Sequence, residues 1–168
     1  MIVLHSVLVA TDFGPASDAA LIYARDLART FEAQLHVLHV ADNARATPAA
    51  AFYPDTFHDV QTQLEESARH RLGRLLTMDD RSVSRAIVAV RRSSVPADAI
   101  VAYAKEQRVG LIVVGTHGRR AVSHLLLGSV AERVVRTAPC PVLVARVAQY
   151  DAVAPDAVSE VARPGRAE

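Results

Sequence analysis

VVGTHGRRAVSHLLLGSVAERV, Val113 to Val134, begins as an apolar strand and finishes as a helix. Three of the chain's seven glycines fall inside it, Gly115, Gly118 and Gly128, and Ser129 follows the last. Gly115 and Gly118 bracket the turn that leaves the strand. Glycine admits positive φ and lets main chain approach a ligand with no Cβ in the way. Gly128-Ser129 opens the helix, where unpaired N–H groups and the positive end of the macrodipole collect. Nine residues separate Gly118 from Gly128, and Leu125, Leu126 and Leu127 among them anchor the connection. Two readings stand at this point. Two glycine turns and the Ser129 hydroxyl face one phosphate, or two ordinary turn glycines precede a helix cap.

Outward from this segment, Val/Ile/Leu-rich runs alternate with helix-period stretches. SVLVATD, AQLHVLHVAD (ending near Val40), SRAIVAVRRS, LIVVG and PVLVARV read as strands. The predicted helices are GPASDAALIYARDLARTF, DVQTQLEESARHRLGRLLTM, VPADAIVAYAKEQRV and SVAERVVRTA. Pro15 and Pro96 suit first helical turns. The first helix should bury Ala20, Ala24, Leu27 and Phe31, the second Val60, Leu64, Ala68, Leu72 and Leu75. The loop from Asn43 to Asp59 carries no pattern and is expected to order over ligand. Strands apolar at nearly every position, alternating with helices, indicate an α/β domain whose parallel sheet is covered on both faces. Such a sheet binds ligands at the carboxyl ends of its strands, where strand order reverses. The candidate site therefore comprises Ala10 to Asp12, Val40 to Asp42, and Gly115 onward.

The domain is expected to span residues 1–147. Residues 148–168 form a tail in which Ala, Pro and charge predominate without a sustained period, so it is expected to be disordered. Eighteen arginines, one lysine and eighteen acidic residues leave a net charge of +1, which gives no nucleic-acid footprint. A single cysteine, Cys140, rules out an internal disulfide and reads as a small buried residue. MIVLHSVLVATD lacks a basic n-region, and no apolar run reaches membrane-span length, so the expected location is the cytoplasm, away from membranes.

Other constellations give less. No G-x-x-x-x-G-K-[ST], G-x-G-x-x-G or G-x-S-x-G occurs. His36 and His39 fall on opposite faces of a strand and cannot share an ion. His5, His58 and His70 lack acidic or cysteine partners at ligand spacing, so no metal site is expected. His117 either donates to a phosphate or faces water. Arg119 and Arg120 either reach terminal phosphates or are solvated. His124 is expected beside the leucine anchor. The pairs Glu65-Glu66 and Asp79-Asp80 read as solvated faces. No catalytic residue is assigned.

GTHGRRAVSHLLLGS fits the pattern G-x-x-G-x9-G-[ST], and with ATD after the first strand, LHV in the second and APCPVLVAR at the end it resembles the universal stress protein family over Ser6 to Val147. The resemblance implies a Rossmann-like open five-stranded sheet in the order 3-2-1-4-5 and the ATP-binding branch. On it, Ala10, Thr11 and Asp12 line the adenosine site and Val40 meets adenine through its backbone. Gly115, Thr116, Gly118, Gly128, Ser129 and Val130 hold ribose and phosphates, with His117 and Arg119 beside them. Asp12 either accepts from a ribose hydroxyl or helps hold Mg²⁺, or is an ordinary turn aspartate. The chain departs from the family at Gly110, where an acidic residue is frequent.

The expected function is an ATP-binding regulatory protein of the stress response, with an unidentified protein partner. Two alternatives stand beside it: a slow ATPase or autophosphorylating protein, and a nucleotide-free dimeric interaction protein. The apolar last strand, Pro141 to Val147, is expected at a sheet edge, where it pairs in a symmetric homodimer or is covered by the tail.

Overall fold

A computed structural model describes residues 3–116 and 127–146. Its sheet has five strands: β1 (Ser6–Ala10), β2 (Gln34–Ala41), β3 (Ile87–Arg92), β4 (Leu111–Gly115) and β5 (Val142–Ala145). Their order is β3-β2-β1-β4-β5, and every pair is parallel. The helices are α1 (Pro15–Thr30), α2 (Pro54–Leu75), α3 (Met78–Ser82), α4 (Pro96–Glu106) and α5 (Ser129–Thr137). This is the expected Rossmann-like α/β architecture.

Period-two alternation divides the strands between two cores. Val7, Val9, Leu35, Val37 and Val113 face Ala20, Leu21, Ala24 and Ala28 of α1 and Leu72 of α2. Leu8, Leu38, Ile112 and Val114 face Ile100, Tyr103 and Ala104 of α4 and Val134 of α5. Small residues on α1 let it lie close to the sheet. Phe31 departs from the expected stripe and is 43% exposed, because α1 ends at Thr30 and Phe31 is already out of helical geometry.

The second helix differs more. It begins at Pro54 rather than Asp59, and the stretch before it forms 3-10 turns at Ala44–Ala46 and Pro48–Ala51. Its buried face holds Ala68 and Leu72 as expected, but its first half buries Gln61 while Val60 and Leu64 stay exposed. The cause is polar. Gln61 Oε1 accepts the Ala44 amide at 2.9 Å, and its Nε2 donates to Glu65. Glu65 in turn pairs with Arg92 at 2.8 Å, so it is no solvated charge. A loop amide that leaves water needs a partner, and Gln61 turns inward to supply it.

Asp80 is likewise a correction. It is 1% exposed, and its carboxylate accepts from Arg25 Nε at 2.9 Å and from the Thr77 amide at 2.8 Å. Thr77 Oγ1 in turn accepts the Asp80 amide, completing a capping box that starts α3. Arg25 also donates to the Leu75 carbonyl, which ties the α2–α3 turn to α1. The third strand begins at Ile87, three residues later than expected, because this unforeseen helix and its cap occupy the chain before it.

Helices α1, α3 and α4 are each followed by a charged residue in left-handed conformation, at Glu32 (φ 51), Arg85 (φ 43) and Arg108 (φ 51). Backbone bonds from Ala33 to Ala28, Ala86 to Asp80 and Val109 to Ala104 satisfy the last helical carbonyls. Gly110 has a packing reason: a Cβ there would come within 2.9 Å of Leu4 Cδ1 and 3.2 Å of the Ser6 carbonyl.

His36 and His39 take opposite faces, as alternation requires. His36 is buried beside Tyr103. Its Nδ1 lies 2.9 Å from the Tyr103 hydroxyl and its Nε2 lies 3.2 Å from Gln34 Oε1. A neutral ring protonated on Nε2 satisfies both partners. Cys140 is half-buried, and burial raises its thiol pKa, consistent with a packing role.

Two outcomes are expected. Asp80→Ala leaves Arg25 facing a hole and should cost about 3 kcal/mol in urea unfolding. Burial lowers the His36 pKa below its ordinary 6.5. The unfolded chain therefore binds a proton at a pH where the folded chain resists it, and stability falls as pH drops through that value. Urea midpoints at pH 7.5 and 5.5 should differ more for wild type than for His36→Gln.

Candidate functional site

Chain order reverses between β1 and β4, so a crevice opens at their carboxyl ends. Register brings the expected residues to that end. Ala10 pairs with Leu38 and Val9 with Val113, so Thr11 and Asp12 emerge beside Val40 on one flank and Gly115 and Thr116 on the other.

The β1–α1 turn is held by its own polar groups. Thr11 Oγ1 accepts the Phe13 amide at 2.9 Å and meets Ser17 Oγ at 3.0 Å. Ser17 Oγ donates to the Gly14 carbonyl at 2.8 Å and accepts the Gly14 amide at 3.1 Å. Asp12 Oδ1 also accepts that amide, at 3.0 Å. Phe13 sits at φ 63 and stacks on His39 with ring centroids 4.5 Å apart. His39 Nδ1 donates to the Thr11 carbonyl at 2.8 Å. The Arg71 guanidinium covers Phe13 at 3.8 Å from its centroid. Thr11 is 5% exposed, so its side chain shapes the turn from within, whereas Asp12 is half-exposed at the crevice. Sequence reasoning missed Phe13, Ser17 and His39. The signal for His39 was its place on β2, one residue past the Leu38 that pairs with Ala10.

Across the crevice, Thr116 is buried and held at both ends. Its amide donates to the Ala145 carbonyl at 3.0 Å, and its carbonyl accepts the Gly128 amide at 2.6 Å. The second bond brings the start of α5 against the end of β4, although eleven residues lie between Thr116 and Gly128 in sequence. The first helical bond of α5 runs from the Glu132 amide to the Gly128 carbonyl. The amides of Ser129, Val130 and Ala131 therefore have no intrahelical acceptor, and among the described residues no side chain caps this end. Ser129 and Val130 are exposed. With the helix dipole behind them, these amides suit an anion.

Gly115 has a packing role as well. A Cβ on it would stand 2.6 Å from both the carbonyl carbon and oxygen of Ala16. Its missing side chain admits the first turn of α1. Gly128 has φ −71, which any residue adopts. His117, Gly118 and Arg119 lie outside the described residues, as do Arg120, His124, Leu125 and Leu126. Leu127 packs partly buried on the α4–α5 core, in keeping with the expected anchor.

Among the described residues, no group of three or more His, Cys, Asp or Glu side chains converges as a metal site. No described helix is long and apolar enough to cross a membrane.

The model of the "Universal stress protein family" matches residues 4–146. A universal stress protein of Methanocaldococcus jannaschii is 31% identical over 140 residues, covering 83% of this chain and 81% of that protein. The solved universal stress protein UspA from Lactobacillus plantarum superposes with a TM-score of 0.75 at 26% identity, covering 87% of this chain and 100% of that one. A universal stress protein solved in complex with cAMP shares the fold at a TM-score of 0.56 and 23% identity, covering 86% of this chain and 98% of that one.

Gly115→Ala should act on the fold before it acts on any ligand. Its methyl group meets main chain, which cannot rotate aside, and the expected cost is about 2 kcal/mol by thermal unfolding. An unchanged melting temperature would show that α1 can withdraw.

Proposed function

We propose that this chain, which belongs to the universal stress protein family, is a regulatory module that binds ATP at the carboxyl ends of β1, β2 and β4. The observation that carries this reading is the Gly128–Thr116 hydrogen bond. It sets three α5 amides without intrahelical acceptors beside the strand ends, at the level of Asp12. Membership of a family in which one solved member holds cAMP supports an adenine nucleotide as the ligand class.

In this reading the Asp12 carboxylate accepts from a ribose hydroxyl, between Ala10 and Val40, with Thr11 shaping the turn behind it. The amides of Ser129 and Val130 and the Ser129 hydroxyl take phosphate oxygens. Gly115, Thr116 and Gly128 form the main-chain wall, and His117, Gly118 and Arg119 close the motif. Mg²⁺ enters on the phosphates with Asp12 as its protein carboxylate, a donor set that suits an ion which keeps most of its water.

ATP regulates here by binding one arrangement of these loops more tightly than another, and so changing the surface offered to a protein partner. The chain works in the cytoplasm in stress response. It pairs with a second copy through β5, the sheet edge next to β4.

Ser129→Pro provides the sharpest test. Proline at the first helical position removes one amide without breaking the helix. Gly128, at ψ 151, already has the backbone that a residue before proline requires. Calorimetry should show ATP affinity reduced about tenfold or more, the loss of both Ser129 contacts, its amide and its hydroxyl, with the melting temperature retained. Equal affinity would overturn the phosphate assignment. ATP turnover by pure protein, abolished in Asp12→Ala, would make the chain an enzyme instead.

A further inference from the structure

At the end of the sheet remote from the glycine turns, a cavity of about 440 Å³ opens between the end of α1, the starts of β1 and β2, and the link from α3 to β3. Phe31 and Val83 are exposed on its apolar side. Glu32, Gln34, Ser84 and Arg85 form a polar side. Three observations set this cavity apart from an ordinary surface hollow.

First, Ser84 is 3% exposed, yet its Oγ is buried with no hydrogen-bond partner. Its main chain is engaged, with the carbonyl accepting the Leu35 amide at 3.0 Å. A buried hydroxyl without a partner costs stability and is uncommon in native proteins. Second, Glu32 and Arg85 both line the cavity, and among the described residues neither joins an ion pair. Third, both have left-handed backbone, Glu32 (φ 51) directly after the C-cap of α1 and Arg85 (φ 43) two residues after that of α3. Oppositely charged side chains kept in a strained backbone conformation at the lining of one cavity are a motive to look for a ligand. Gln34 fixes the geometry between them, donating from Nε2 to the Arg85 carbonyl at 3.4 Å while its Oε1 faces His36.

We propose that this cavity binds a free α-amino acid with an apolar side chain. The Arg85 guanidinium takes the carboxylate. The Glu32 carboxylate takes the ammonium group. The ligand's side chain rests on Phe31 and Val83, and the Ser84 hydroxyl, covered in the unliganded chain, rotates about χ1 to donate to the ligand carboxylate. The charges select a zwitterion. A simple anion meets Glu32 as a like charge, and a simple cation meets Arg85. This site is separate from the ATP crevice and does not depend on it.

The test is calorimetry on the full chain with three probes: L-leucine, 4-methylpentanoate, which lacks the ammonium group, and L-leucinamide, which lacks the carboxylate. L-leucine should bind saturably, and each analogue about tenfold or more weaker, the worth of one charge-assisted bond. Glu32→Gln should weaken L-leucine but not 4-methylpentanoate, and Arg85→Gln should weaken L-leucine but not L-leucinamide. Ser84→Ala should weaken L-leucine while the unliganded protein melts no lower, because the lost hydroxyl had no partner. Amide NMR on the wild-type chain checks the location without any variant, with Ala33 and Leu35 expected among the shifted resonances. Absence of saturable binding would overturn the proposal. So would equal affinity for L-leucine and 4-methylpentanoate, or shifts confined to the other end of the sheet.

Discussion

Main chain meets main chain where Gly115 leaves β4 and Ala16 begins α1, with no room for a Cβ between them. Much of the upper end of the molecule depends on that contact. It lets α1 start directly over the centre of the sheet, and so fixes where the β1–α1 turn delivers Asp12. It also fixes the end of β4, from which Thr116 reaches β5 through its amide and α5 through its carbonyl. A larger residue at this one position would push apart the two walls of the crevice.

Polar groups enforce the remaining geometry at places where an apolar core has no directional preference. Asp80 ties the α2–α3 turn to Arg25 of α1. Gln61 supplies the acceptor that the chain after β2 needs when it leaves the sheet. Thr11 and Ser17 link the end of β1 to the first turn of α1. Each uses a buried or half-buried group that would be costly if left unpaired, and each therefore specifies one arrangement among the many that hydrocarbon packing would tolerate.

The two ends of the sheet carry different chemistry because parallel strands make them different. At the carboxyl ends, strands pass into helix N-termini, and free amides with a positive dipole end collect there. At the amino ends, helices finish, and their final carbonyls must be satisfied by left-handed caps. This chain places Glu32, Arg85 and Arg108 at those caps, so side-chain charge appears where most chains would have bare glycine backbone. Helix amides without intrahelical acceptors at one end and a mixed-charge cavity at the other follow from one parallel topology.

The alternation of apolar strands with helical segments was sufficient to settle the α/β class and to number the five strands, since burial on both faces leaves a continuous hydrophobic signature. The strand order came from the resemblance carried by GTHGRRAVSHLLLGS, ATD and APCPVLVAR, because periodicity does not encode which strand lies beside which. Sequence spacing also located Asp12, Val40 and Ser129 as residues that end a strand, follow one or open a helix. Tertiary structure alone decided what their neighbours do. Gly115 proved to make room for Ala16, and Asp80 and Gln61, polar by composition, proved to be buried. The apolar stripe expected through Val60 and Leu64 fails for the same reason. A hydrophobic period reports average burial along a helix, whereas a single hydrogen bond to a distant loop or arginine is enough to turn one polar side chain inward, and only the folded chain brings that partner within reach.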